Sequence, residues 1–231
     1  PEIVDIVNML IKMGANISGA GTSEIIVEGV DKLNPTDHEI IGDRIAAGTF
    51  LAAILSTKGS GIVNGINPEH LPMELKKLGE MGAKIDSTET SINIEYRDNL
   101  QSIELSTLPF PGIATDLQPI FGSALLLAEG TSILTENVYD QRFQWIPEVQ
   151  RMGANIQTGW QHAMIKGVES LSGAPVHATD IRTGASLIIA ALQADGLSTI
   201  TGIDHINRGY EDIVTSLSSL GSTIEYNNTN G

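Results

Sequence analysis

Apolar residues fall along this chain in two recurring arrangements, and each predicts a different kind of helix. In the first, Leu, Ile, Val and Met recur at helical spacing and stop at a glycine: IVNMLIKMGANI, ELKKLGEMGAKI, WIPEVQRMGANI and IVTSLSSLGSTI. A stripe of that spacing followed by Gly, a small residue and Ile predicts a helix that ends in a glycine cap and turns into a strand. The four glycines are Gly14, Gly82, Gly153 and Gly221, which stand 68, 71 and 68 residues apart. One such phrase is ordinary helix-to-strand grammar. Four at a steady period identify an internal repeat.

In the second arrangement a polar head precedes a run that is apolar almost throughout: DRIAAGTFLAAILSTKG from Asp43, TDLQPIFGSALLLAEG from Thr115, and HATDIRTGASLIIAALQADG from His177. A helix apolar around most of its circumference is buried on most sides, so these three predict helices inside and sheets outside. After each run comes a β-like stretch, GIVNGI at 61, TSILTENV at 131 and STITGI at 198. SINIEY at 91 and AMIKGV at 163 follow two of the glycine caps. The repeat unit therefore reads strand, helix, strand, helix, strand, strand, over about 70 residues. Three nearly complete copies are expected over 40 to 226, and a partial one, a helix and its strands, over 1 to 39. The fold class expected is α/β with the usual layers reversed. A unit that starts in mid-repeat, in a chain opening on Pro1, suggests the latter part of a longer protein.

Composition narrows the chemistry. Hydrophobic residues make up 41% but aromatics only 4%, so aliphatic side chains must fill the core. With 13 basic against 28 acidic residues the net charge is −15, which disfavours nonspecific contact with nucleic acid or an anionic membrane. No apolar run reaches the 18 or more residues of a membrane span. Lack of cysteine removes disulfides, thiolate metal sites and a cysteine nucleophile from these residues. The histidines, at 38, 70, 162, 177 and 205, do not pair at metal-ligand spacing, and no metal site or cofactor is expected.

Basic residues are scarce, so those beside the polar heads stand out. Asp116 reads as an N-cap with Pro119 in the first turn. Asp180 reads as a cap as well. Arg182 sits where the helix dipole mildly disfavours a cation, which hints at an anion nearby. Arg208 precedes a helix expected near Gly209 and could pair with Glu211 or Asp212. Arg142 could pack on Trp145 or cap a strand, and Val138 could be a core residue. Asp43 and Arg44 repeat the head in the first copy and rank lower, as structural or hinge contacts.

The phrases PFPGIATDLQ, TENVYDQRF, SGAPVHATDIRTGASL and DHINRGYEDI resemble the enolpyruvyl transferases, as do PEIVD at the start and DRIAAGTFLAA at 43. The resemblance runs in order over essentially all 231 residues. It implies an inside-out α/β barrel, or α-β prism, of three βαβαββ repeats. Residues 1–40 would end one such domain and 41–231 would form a second. It also implies transfer of the enolpyruvyl group of phosphoenolpyruvate to the 3′-hydroxyl of UDP-N-acetylglucosamine with release of phosphate. That is the committing step of peptidoglycan synthesis, a cytoplasmic reaction. Asp116 would act as general base and contact the sugar, and Val138 and Arg142 would line the nucleotide-sugar side. Asp180 would stand at the reacting centre, and Arg182 and Arg208 would bind phosphoenolpyruvate. The partner implied is an upstream half carrying the remaining substrate contacts, without which the fragment is expected to be inactive. Two rivals are a shikimate-3-phosphate enolpyruvyl transferase and a noncatalytic repeat-built binding module. The latter requires Asp116, Asp180, Arg182 and Arg208 to scatter over separate faces.

Overall fold

The structure, a computed structural model, describes residues 1–227. Among these there are eight α-helices: α1 (Glu2–Lys12), α2 (Arg44–Ser56), α3 (Pro72–Glu80), α4 (Gln118–Ala124), α5 (Ile146–Arg151), α6 (Ile181–Leu192), α7 (Ile203–Asn207) and α8 (Ile213–Ser219). The four glycine phrases become α1, α3, α5 and α8, and all four close alike. Gly14, Gly82, Gly153 and Gly221 take φ of 101°, 107°, 100° and 98°, a left-handed conformation that a Cβ disfavours. Three of these caps share a second bond, in which the residue after the glycine reaches back across the last turn. It runs from Ala15 N to Leu10 O, Ala154 N to Val149 O and Ser222 N to Leu217 O, at 2.9, 3.2 and 3.2 Å.

The three polar-headed runs become α2, α4 and α6, which pack against one another at the centre. All seven residues of α4 are buried, and α2 and α6 are buried from their first turn nearly to their ends. Close approach depends on glycine. A Cβ on Gly48 would meet Leu117 at 2.9 Å, one on Gly122 would meet Trp145 at 2.4 Å, and one on Gly184 would meet Ile206 at 2.4 Å.

Sheets surround the helices. Near the start, β1 (Asn16–Ser18) and β2 (Ile26–Glu28) pair antiparallel. In the next unit β3 (Ser60–Asn64), β4 (Ala83–Ser87) and β5 (Ser91–Tyr96) form an antiparallel sheet in the order β3-β5-β4. The following unit holds β6 (Glu104–Ser106), β7 (Thr131–Thr135), β8 (Asn155–Gly159) and β9 (His162–Lys166) in the order β6-β7-β9-β8, with β6 parallel to β7. The last unit has two parallel pairs. β10 (Leu171–Ser172) pairs with β12 (Ala194–Asp195), and β11 (Pro175–His177) with β13 (Thr199–Thr201). Inward residues such as Ile92, Ile94, Ala163 and Ile165 are buried while their neighbours along the strand are exposed or half-buried. That alternation puts one face of each sheet on the helices and the other in solvent.

Departures from the expected repeat have local causes. Only the middle unit shows the complete order of strand, helix, strand, helix, strand, strand. Residues 29–43, between β2 and α2, hold no strand. The STIEY segment after Gly221 is irregular; among the described residues no strand pairs with it as β5 pairs with β4 and β9 with β8. The run after Asp116 is helical only to Ala124 and then turns, yet Leu125 and Leu126 remain buried. The helix expected near Gly209 starts at Ile213. Asp212 caps it, its Oδ1 accepting from Thr215 N at 3.1 Å.

The apolar core is one cluster that begins at Ile45 and ends at Leu217. Residues ahead of it are thinly covered. Val7 is the one buried residue of α1, and Ile3, Ile6, Ile26 and Val27 are exposed.

Candidate functional site

The site forms where the polar heads meet. Asp116 lies in a 3-10 turn, Thr115–Leu117, that leads into α4; Arg142 opens another, Arg142–Trp145, that leads into α5; Arg182 is in the first turn of α6. Asp116 does not cap its helix. Its two oxygens are taken by two arginines, Oδ1 by Arg142 Nη2 at 2.8 Å and Oδ2 by Arg182 Nη2 at 2.9 Å. The guanidiniums therefore hold one carboxylate between them, and with Asp180 at the same cleft two positive charges stand against two negative ones.

Arg142 neither packs on Trp145 nor caps a strand. Its Nε donates to Thr115 Oγ1 at 3.2 Å, and its guanidinium lies 4.8 Å from the centre of the Tyr139 ring, a cation–π contact. Trp145 is instead fully buried, its indole N–H donating to Gln118 Oε1 at 3.2 Å. Tyr139 owes its place to Glu136, a fully buried carboxylate that sequence reading missed. Glu136 Oε1 accepts from Thr107 Oγ1 at 2.7 Å and from the backbone N–H groups of Val138 and Tyr139, both at 2.9 Å. Those bonds shape the loop after β7 and leave Val138 half exposed, at 49%, so it is no core valine. Its one sequence signal was an acid immediately ahead of the loop it organises.

Asp180 caps α6 as the sequence suggested, Oδ1 accepting from Arg182 N at 2.8 Å and Thr183 N at 3.0 Å, Oδ2 from Thr183 Oγ1 at 2.6 Å. Burial pushes its pKa up, but the Thr183 and Arg182 hydrogen bonds outweigh that and hold the carboxyl below its ordinary value. A cleft of about 240 Å³ lies between Asp180 and Arg142, lined also by Tyr139, Gln141 and Gln144. Ligand pockets usually span about 300–1,000 Å³, so this cleft is smaller than most.

Burial lowers the pKa of Arg182, and Asp116 and Tyr210 beside it more than reverse the effect, so the guanidinium is a firmer cation than usual. Tyr210 is the other residue sequence reading missed, although it stands in the quoted phrase INRGYED. It is buried, which pushes its hydroxyl pKa up, and the hydroxyl lies 2.9 Å from Thr49 Oγ1 on α2. Arg208 stays outside this cluster. It is exposed at the end of α7, and its Nη2 donates to His205 Nδ1 at 2.6 Å, with no ion pair to Glu211 or Asp212.

The first-copy head has a different use. Asp43 caps α2 through Ile45 N at 2.7 Å and Ala46 N at 3.2 Å. Arg44 pairs with Glu2 Oε1 on α1 at 2.7 Å and lies 5.7 Å from the centre of the Phe110 ring. It also sits 4.0 Å from Glu74, a buried acid whose Oε1 is 3.4 Å from Ala114 N. Burial pushes the Glu74 carboxyl above its ordinary value.

Central helices inside a ring of sheets, with arginines and carboxylates at their N-terminal heads, define a carboxyvinyl transferase fold. The EPSP synthase (3-phosphoshikimate 1-carboxyvinyltransferase) family matches residues 1–217, and the chain belongs to this family of enolpyruvyl transferases. It is similar to UDP-N-acetylglucosamine 1-carboxyvinyltransferase of Thermotoga maritima, 47% identical over 226 residues covering 98% of this chain and 54% of the relative. The same enzyme of Corynebacterium jeikeium is 45% identical over 97% of the chain and 54% of the relative. Among solved structures, the enolpyruvyl transferase NikO from Streptomyces tendae superposes with a TM-score of 0.85 at 27% identity, over 96% of this chain and 53% of that one. EPSP synthase from Acinetobacter baumannii, at 22% identity and a TM-score of 0.76 over 95% of this chain and 54% of that one, shares the fold. The chain spans about half the length of the curated relatives it matches. Among the described residues no helix is long and apolar enough to cross a membrane.

Proposed function

We propose that this chain supplies part of a sugar-nucleotide enolpyruvyl transferase, which moves the enolpyruvyl group of phosphoenolpyruvate to the 3′-hydroxyl of UDP-N-acetylglucosamine and releases phosphate. The observation that carries the reading is the convergence of Arg142 and Arg182 on Asp116, with Arg142 and Asp180 lining one cleft. It occurs in a chain 47% identical to a UDP-N-acetylglucosamine 1-carboxyvinyltransferase. A noncatalytic module would scatter Asp116, Asp180, Arg182 and Arg208; the first three stand together and Arg208 stands apart. The shikimate-3-phosphate reading is less well supported, since the EPSP synthase of Acinetobacter baumannii is 22% identical. The reaction would belong to peptidoglycan synthesis in the cytoplasm.

In this reading Asp116 takes the proton of the attacking hydroxyl, which requires that hydroxyl to come within hydrogen-bond reach of a carboxylate oxygen now held by an arginine. Its arginine partners can turn to phosphate or carboxylate as planar, bidentate donors. Arg182 and, from the end of α7, Arg208 would serve phosphoenolpyruvate; Val138 and Arg142 would face the nucleotide sugar. Residues 1–40 would end a preceding domain and 41–231 form a second, the preceding half supplying the other wall. A cleft with one wall admits water to the reacting groups, so the chain alone should release no phosphate above a heat-killed control. Calorimetric titration tests the acceptor. UDP-N-acetylglucosamine should bind and shikimate 3-phosphate should not; the reverse preference, or phosphate release by the chain alone, refutes the corresponding statement.

A further inference from the structure

A chain of hydroxyl groups behind Arg182 has a fixed direction. Thr49 Oγ1 lies 2.8 Å from the carbonyl of Ile45, one turn earlier in α2, and Thr49 is buried at 3% exposure. A hydroxyl has one proton, and Thr49 spends it on that carbonyl. The Tyr210 hydroxyl, 2.9 Å from Thr49 Oγ1, must then be the donor of their shared bond. That leaves the lone pairs of Tyr210 free beside Arg182, whose positive charge the hydroxyl supports. The donors run from Tyr210 to Thr49 to the Ile45 carbonyl, with the Arg182 guanidinium beside the head of the chain.

Tyr210 is itself held firmly. Its backbone N–H donates to Ile206 O at 3.1 Å, and the segment around it lies flat on the start of α6. Glycine makes that approach possible. A Cβ on Gly184 would meet Ile206 at 2.4 Å, and one on Gly209 would meet Ile181 at 2.4 Å. A short aromatic stem with its one polar atom in a buried chain has little freedom to offer a second geometry.

We propose that Tyr210, backed by Thr49, is a positioning residue that fixes the Arg182 guanidinium against Asp116, so that α2 sets the geometry of an anion-binding group on α6. Tyr210→Phe removes both the oxygen beside Arg182 and the donor to Thr49. Thr49→Val removes the anchor, and Thr49→Ser keeps its hydroxyl. The first readout needs no ligand. In the 231-residue chain, the Arg182 Nε–Hε signal in ¹⁵N NMR, assigned by its loss in Arg182→Lys, should broaden or shift in Tyr210→Phe and Thr49→Val. It should keep its wild-type position in Thr49→Ser. The second readout rests on the proposed function. Phosphoenolpyruvate affinity, by titration with the preceding half present, should fall about tenfold in Tyr210→Phe and in Thr49→Val, as expected when a polar contact with a charged group is lost, and stay near wild type in Thr49→Ser.

A lowered melting temperature with an unmoved Arg182 signal in both Tyr210→Phe and Thr49→Val would overturn the proposal and leave Tyr210 a packing residue. Altered Arg182 signals beside an unchanged phosphoenolpyruvate affinity, measured with the preceding half present, would support the positioning role and refute the substrate reading instead. If Tyr210→Phe fails to fold, the Thr49→Val and Thr49→Ser pair decides the question alone.

Discussion

Replacing Gly122 by alanine should destabilise the chain, although the same change stabilises most helix interiors. Gly122 is interior to α4, where alanine gains about 1 kcal/mol in helix propensity. Here the new Cβ would lie 2.4 and 2.5 Å from two ring carbons of Trp145 and 3.0 Å from Leu134 Cδ1. Trp145 cannot step aside, being fully buried and tied to Gln118 through its indole N–H. Overpacking of this kind costs about 1–3 kcal/mol, and a rigid neighbour on two of three contacts places it in the upper half of that span. The net is about 1–2 kcal/mol of destabilisation, or a melting temperature lower by roughly 2–8 °C for a chain of this length. Gly79→Ala in α3 is the control, because a Cβ there meets nothing within 4 Å. It should raise the melting temperature by about 1–4 °C through propensity alone. Calorimetric scans of both variants under one buffer and scan rate provide the comparison. A Gly122→Ala chain as stable as wild type would show that the interior around Trp145 yields, and the argument from close packing would fail.

Three further outcomes follow from the charged groups. Asp180→Ala should cost about 1 kcal/mol at pH 7, as for loss of an N-cap. The folded carboxyl of Asp180 titrates below its ordinary 3.8, so its stabilisation is present above that pH and lost as pH falls through the folded value. Variant and wild type should converge in acid, which denaturation midpoints across pH would check. For Glu74 the sign reverses. Its folded carboxyl titrates above the ordinary 4.5, so the wild type should lose stability as pH rises from there through the folded value, while Glu74→Gln shows a flatter profile. Asp116→Asn should release Arg142 and Arg182 from their shared carboxylate and raise the affinity for inorganic phosphate severalfold, measured by titration at low salt.

Features decided within a few residues were legible in the sequence. The glycine caps, the Asp180 cap and the burial of the three polar-headed helices depend on neighbours along the chain or on helical period, and they occur where expected. Asp116 shows the limit. A carboxylate ahead of an apolar helix reads as a cap, and only packing of α4 beside α6 and the turn at Arg142 brings two guanidiniums to it first. Glu136 and Tyr210 escaped notice because single buried acids and tyrosines have no spacing to betray them; their meaning lies in which distant groups fold around them. Arg208 was grouped with the cleft by resemblance, yet in this structure its guanidinium turns to His205. The STIEY segment has strand composition, but a strand exists only where a neighbour supplies its ladder.

The four left-handed glycines amount to a calibrated set of lesions. Gly153 and Gly221 have open space where a Cβ would go, and at Gly14 and Gly82 the nearest atoms stand 3.7 and 3.3 Å away. Alanine at any of them therefore imposes much the same backbone penalty, about 1 kcal/mol or more, with an added tight contact to the Asn99 carbonyl at Gly82 alone. If the repeats unfold together, four single variants should lower one shared transition by similar amounts. If the poorly covered residues 1–40 open on their own, the Gly14 variant alone should leave the main transition in place and instead speed hydrogen exchange within α1. The repetition that built the chain thus supplies an internal ruler for how far each unit feels the others.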